Sequence, residues 1–209
     1  MVVTRPLEQV GELVRLLEHA DYDVELCPLI EIEPLGDDPI DVSAYDWVVI
    51  TSANGAAELR RRMQGIPAHV AAIGRATADA FGEVDLIPSV ATQEGLLAEL
   101  PRPAGRVLFA AAEGARQLVA HELDADFLAL YRTRELRPSE PPHGDLAIVA
   151  SPSAARALAA LHLSIPVVSI GPETSRAAAA AGLTVVAEAA THDTAGLVAA
   201  VRAAAPNAS

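Results

Sequence analysis

The sequence predicts an α/β protein: two similar parallel-sheet domains, one of them discontinuous, joined by a two-stranded linker, with an interdomain cleft. Three observations predict it. Short β-branched runs alternate with helix-like stretches from end to end. The strands are almost uninterruptedly apolar, as strands are when helices cover both faces of a parallel sheet. The chain also repeats itself at a spacing of about one hundred residues.

The elements run in order along the chain. Val2 to Thr4 reads as a strand and Glu8 to Ala20 as a helix with Leu13, Leu16 and Leu17 on one face. Val24 to Ile32 reads as a longer strand, and Asp46 to Thr51 as another, leading into a helix from Asn54 to Arg62. His69 to Ile73 enters the Gly74-Arg75-Ala76-Thr77 turn, with a helix to Phe81 and a short strand Val84 to Ile87. A helix over Gln93 to Leu100, a strand over Arg106 to Ala110, a helix over Gly114 to Glu122 and a long strand over Asp126 to Leu136 come next. Asp145 to Ala150, Pro166 to Ile170 and Leu183 to Ala187 are strands, each followed by a helix.

The repeat fixes the organisation. Residues 46–59 (DWVVITSANGAAEL) match 145–158 (DLAIVASPSAARAL), 69–80 match 166–177, and 92–100 resemble 193–201. Residues 106–123 echo 2–19, so the order of the two copies is circularly offset. One domain is therefore expected from residues 1–34 plus 131–209 and an inserted one from 38–128. Residues 33–43 and 126–137 are expected as the connections.

Composition narrows the chemistry. The 209 residues carry a formal net charge of −13, which disfavours a nucleic-acid partner but not a locally positive cleft for an anionic small molecule. There is no lysine, which excludes a Schiff base on the chain's own amine and a Walker A loop. Cys27 is the only cysteine and reads as a buried strand residue; the six histidines show no ligand spacing. No metal site is expected. Without a leader or an apolar run long enough to span a bilayer, a cytoplasmic protein with no membrane contact is expected.

Four turns come after strands and open helices: Ser52-Ala53-Asn54-Gly55, Gly74-Arg75-Ala76-Thr77, Ser151-Pro152-Ser153 and Gly171-Pro172-Glu173-Thr174. Each alone is an ordinary helix cap. Together, at strand carboxyl ends, they point to anion binding by free helix-start N–H groups. Gly74 and Gly171 would let backbone approach a ligand closely. Arg5, Arg75, Arg116, Arg132 and Arg134 are the cations expected nearby. Tyr131, inside the long strand 126–136, could give a proton or a hydrogen bond to a leaving oxygen if it faces the cleft. No nucleophile–base set, paired carboxylates or GxGxxG is present.

The motifs Thr4-Arg5-Pro6, Thr51-Ser52-Ala53-Asn54, Gly74-Arg75-Ala76-Thr77, Leu130-Tyr131-Arg132-Thr133, Ala150-Ser151-Pro152-Ser153, Ile170-Gly171-Pro172-Glu173-Thr174 and Thr194-Ala195-Gly196-Leu197 carry a resemblance. In their order and spacing the chain resembles the uroporphyrinogen-III synthase family from residue 2 to about 202. The resemblance implies two small α/β domains about an open cleft. It implies cyclisation of hydroxymethylbilane, a linear tetrapyrrole with eight carboxylates, to uroporphyrinogen III, with loss of water, inversion of the last pyrrole and no cofactor. It implies a monomer in porphyrin and heme biosynthesis that touches the upstream hydroxymethylbilane synthase only transiently. By position, Tyr131 matches the family tyrosine that assists hydroxyl departure. Thr77, Ser151 and Thr174 match residues that hold the substrate. Arg5, Ser52, Ala53, Asn54, Gly74, Arg75, Arg132, Ser153 and Gly171 complete the expected binding set. Ser175 stands where alanine is common in the family. A non-catalytic tetrapyrrole- or anion-binding relative is the alternative. A nucleotide-sugar transferase would need a diphosphate-binding loop, which the sequence lacks.

Overall fold

The computed structural model of the chain describes residues 1–205. Its elements in chain order are β1 (Val2–Val3), α1 (Gly11–Glu18), β2 (Glu25–Leu26), β3 (Ile30–Pro34), β4 (Ile40–Asp41), β5 (Trp47–Ile50), α2 (Ala53–Arg62), β6 (Met63–Gln64), β7 (His69–Ala72) and α3 (Arg75–Phe81). They continue with α4 (Gln93–Glu99), β8 (Val107–Ala112), α5 (Leu118–Leu123), β9 (Asp126–Glu135), β10 (Ala147–Val149), α6 (Pro152–Ala159), β11 (Val167–Ser169), α7 (Pro172–Ala180), β12 (Val185–Glu188) and α8 (Thr194–Ala204). The chain divides into two compact units, Met1–Glu31 with Thr133–Ser209, and Ile32–Arg132. Positions 206–209 of the first unit lie outside the described residues.

The first unit is built on a five-stranded sheet in the order β12-β11-β10-β1-β2, with every neighbouring pair parallel. Strand alternation sorts its side chains. Val3, Ile148 and Val168 face Leu13 and Leu17 of α1 and Leu197 and Val201 of α8. Val2, Ala147, Val149 and Val167 face Ala155 and Leu158 of α6 and Ala178 of α7. Leu13, Leu17, Leu158 and Leu197 are almost completely buried, each stabilising the unit by about 1.5–3 kcal/mol relative to exposure. Both faces are covered, so the central strands β1, β10 and β11 are buried throughout, while the edge strands β2 and β12 stay partly exposed.

The second unit carries the sheet β3-β9-β8-β5-β7, in which β9, β8, β5 and β7 run parallel. Val48, Ile50, Leu108 and Ala110 pack under Ala56 and Leu59 of α2 and Phe81 of α3. Trp47, Val49, Val107 and Phe109 pack under Leu96 of α4 and Val119, in α5. The chain passes between the units twice, once within β3 and once at the end of β9. Among the described residues no helix is long and apolar enough to cross a membrane.

Several elements differ from expectation for local reasons. The expected strand 24–32 is broken into β2 and β3 around Cys27-Pro28, because proline has no N–H for a ladder. Residues 84–87 form no strand, only a single bridge from Leu86 to Ala71. The expected linker 33–43 holds the end of β3 and all of β4, which pairs in parallel with β6. The helix expected from Gly114 begins only at Leu118. Gln93 holds the intervening turn: its amide donates to the Arg116 carbonyl at 2.8 Å and accepts from Val119 N–H at 3.3 Å.

Candidate functional site

Tyr131 is aimed by a defect in β9. Ala110 and Ala111 pair with Leu128 and Ala129 in register, but Ala112 pairs with Tyr131, so Leu130 is an extra residue in β9. A β-bulge turns the side chains beyond it to the other face of the sheet. Without it, Tyr131 would share the face of Phe109 and Ala111; with it, Leu130 and Tyr131 both enter the core beneath α2. The ring is 6% exposed. Its hydroxyl lies 2.9 Å from Ser52 Oγ, and Ser52 caps α2 by accepting from Gly55 N–H at 3.0 Å. The Asn54 side chain supplies a further hydrogen bond to the phenol. Burial pushes the Tyr131 hydroxyl above its ordinary pKa, and the Ser52 and Asn54 hydrogen bonds oppose that rise. Gly55 is small because a Cβ there would sit 3.0 Å from Ser52 Oγ and 3.7 Å from the Tyr131 ring.

The other expected residues of this unit stand at strand carboxyl ends with varied partners. Ala53, the first residue of α2, is exposed. Gly74 precedes α3 in extended backbone, with φ −172°. Arg75 opens α3, exposed, and makes no ion pair among the described residues. Thr77 is buried in the first turn of α3. Arg132 is already neutralised: its guanidinium grips Glu33 through two bonds of 3.0 and 2.8 Å. Arg116 is held likewise by Glu94 at 2.7 Å; Arg134, which falls in the first unit, pairs there with Glu31. Sequence reasoning could place these cations but not their cross-strand and cross-turn carboxylates.

The first unit offers a second set. Ser151 caps α6, accepting from Ala154 N–H at 3.1 Å, with Ser153 Oγ 3.4 Å from its own. Gly171 precedes α7 in extended backbone, φ 167°, and Thr174 is buried in the helix's first turn. Arg5 comes two residues after β1, half-buried and without an ion pair among the described residues. Burial lowers its pKa while the charge of Glu12 raises it. Thr4 is spent on structure: its hydroxyl donates to the Ile148 carbonyl at 2.8 Å.

Three features escaped the sequence. The His192 ring lies against Gly171, with Nε2 2.7 Å from where a Cβ would stand, so this glycine is matched to a neighbouring ring. Ser175 lies 2.6 Å from the buried Ser169 hydroxyl and donates to Glu188. A cavity of about 840 Å³ is lined by Arg60, Met63, Phe81 and Asp85. It sits where α2 and α3 end, opposite the helix starts, so it does not belong to the Tyr131 site.

These features define a doubly wound α/β protein in which each unit carries helix starts, hydroxyls and an arginine without an ion pair among the described residues at its strand carboxyl ends. The family profile described as "Uroporphyrinogen-III synthase HemD" matches residues 11–199. The chain therefore belongs to the uroporphyrinogen-III synthase family. A "Putative uroporphyrinogen-III synthase" of Archaeoglobus fulgidus is 29% identical over 206 residues, covering 88% of this chain and 89% of that one. One of the same description from Methanocaldococcus jannaschii is 27% identical over 149 residues; the match spans 65% of this chain and 62% of the relative. A crystal structure of a mutant uroporphyrinogen III synthase from Thermus thermophilus shares the fold, with a TM-score of 0.64 over 97% of both chains at 16% identity.

Proposed function

We propose that the protein is a uroporphyrinogen-III synthase, a cyclising hydro-lyase that converts hydroxymethylbilane to uroporphyrinogen III. The observation that carries this reading is the Tyr131 hydroxyl, delivered by the β9 bulge to the start of α2 in a chain of this family. In the first step the C–O bond of the terminal hydroxymethyl group breaks, its electrons staying on oxygen. Tyr131 donates its proton to that oxygen, which leaves as water. The pyrrole nitrogen's lone pair supplies the electrons that form the azafulvene. Attack by the substituted carbon of the last pyrrole gives the spiro intermediate. Its rearrangement inverts that ring, and loss of a proton back to the Tyr131 phenolate restores the aromatic pyrrole. The sum is bilane minus water, so no oxidant or reductant is required.

The substrate's carboxylates account for the remaining groups. Arg5 and Arg75 hold uncommitted charge, and the starts of α2, α3, α6 and α7 carry free N–H groups near Ser52, Thr77, Ser151, Ser153 and Thr174. Arg132 is a weaker candidate because Glu33 already holds it. The protein would act as a cytoplasmic monomer, its two units moving as rigid bodies about the crossing strands. Assay of fresh hydroxymethylbilane for the rate and isomer of uroporphyrinogen tests the reading. Type III product well above the spontaneous rate supports it. Spontaneous type I alone would refute it and leave a non-catalytic tetrapyrrole binder.

A further inference from the structure

We infer that Ser52 and Asn54 act on the phenol rather than on the substrate: they are positioning residues that donate hydrogen bonds to the Tyr131 oxygen, leaving its proton free for transfer and holding the phenolate that forms. The inference rests on the proposed cyclisation for its catalytic meaning, though not for its geometry.

The hydrogen-bond inventory allows this direction. A serine hydroxyl has one proton and two lone pairs. Gly55 N–H takes one lone pair of Ser52 Oγ at 3.0 Å. The other short contact of that oxygen is the Tyr131 hydroxyl at 2.9 Å, for which either atom could be donor. If Tyr131 donated, the Ser52 proton would have no acceptor among the described residues. If Ser52 donates, its proton is used, its lone pair holds the helix cap, and the phenol proton stays available. Asn54, in the first turn of α2, bonds to the same phenol in the sense that favours the phenolate.

Packing fixes the arrangement. The bulge at Leu130 puts the ring under α2, and Gly55 leaves it room. The developing phenolate then lies at the start of a ten-residue helix, where the helix field favours negative charge. Burial alone would make Tyr131 a poorer acid. The two donors and the helix offset that effect and make proton donation easier.

The test uses the substrate-free protein. The chain has three tyrosines, Tyr22, Tyr45 and Tyr131. Replacing them biosynthetically with 3,5-difluorotyrosine brings their titration into the neutral range and gives ¹⁹F signals assignable with Tyr→Phe variants. Ser52→Ala should raise the Tyr131 midpoint by about one pH unit, as loss of a hydrogen bond to a charged group implies. Asn54→Ala should raise it too, and Ser52→Thr should restore it. Ser151→Ala removes an equivalent helix cap in the other unit and should leave the Tyr131 midpoint unmoved. With hydroxymethylbilane, Ser52→Ala should lower kcat about tenfold with KM little changed, and Ser52→Thr should rescue it. A midpoint that falls or stays fixed in both Ser52→Ala and Asn54→Ala would overturn the inference, whatever the activity. If Ser52→Ala does not fold, Asn54→Ala alone decides. A raised midpoint in a wild type that makes no type III isomer would leave the phenol geometry standing and remove the cyclisation.

Discussion

Replacing Tyr131 by phenylalanine removes one oxygen and leaves the ring. The ring is 6% exposed and packs with Val48, Ile50, Leu108 and Leu130, so its buried apolar area is nearly unchanged. The substitution loses the bond to Ser52 at 2.9 Å and the one to Asn54. A net loss of about 0.5–1.5 kcal/mol per hydrogen bond sets the scale, reduced because Ser52 keeps its bond to Gly55. The variant should therefore fold, with a Tm lower by only a few degrees. Turnover should fall by about 10²–10⁴-fold, the span for a positioned acid. KM should change little, because the phenol is not a carboxylate-binding group. The hydroxyl also leaves slowly in water, so the residual enzymatic product should still be type III. Stopped-time assays of hydroxymethylbilane consumption with isomer separation measure all of this. Near wild-type turnover in a folded Tyr131→Phe would remove Tyr131 from the mechanism.

The same contacts lead to other outcomes. Arg5→Ala should raise KM several-fold, whereas Arg132→Ala should have a smaller effect because Glu33 already pairs with it; steady-state kinetics that reverse this ranking would contradict the site. Gly95→Ala and Gly196→Ala should each destabilise by about 1–3 kcal/mol in urea melts, since the added Cβ would lie 2.1 Å from the Val90 and Thr191 carbonyl oxygens; unchanged midpoints would refute the packing. Asp126, held down in pKa by Arg106 and Tyr45, and Asp193, held down by Gly196 N–H and Thr191, stabilise the fold while ionised. Their contribution is fully present above the ordinary carboxylate range and is lost as pH falls through the lowered values. Thermal stability should therefore be level from about pH 5 to 7 and decline below about pH 4. Asp193→Asn should flatten that decline.

The parallel sheets were legible because burial on both faces leaves runs such as Trp47–Ile50 and Val167–Ser169 without polar alternation. The repeat was legible for a related reason. Thr92 and Asp193 both cap the N–H of a glycine three residues on, and both glycines pass a carbonyl too closely for any side chain. That geometry selects the same residue twice. Strand breaks were harder. Residues 24–32 read as one strand, but Pro28 interrupts it and its halves join different sheets, β2 that of the first unit and β3 that of the second. The bulge at Leu130 was hidden altogether, because consecutive Leu and Tyr fit a buried strand of either register. Yet it decides which face Tyr131 enters. The charges were misleading in another way. Arg116, Arg132 and Arg134 look available in sequence, but Glu94, Glu33 and Glu31 reach them across turns and strands. His192 gave no signal, since its meaning depends on lying beside Gly171, twenty-one residues earlier.

Product identity bears most directly on function. Fresh hydroxymethylbilane, incubated with the wild-type protein and oxidised at short times, should yield uroporphyrin overwhelmingly of type III, formed much faster than in a protein-free control. Type I product alone, at the control rate, would contradict cyclisation by this chain.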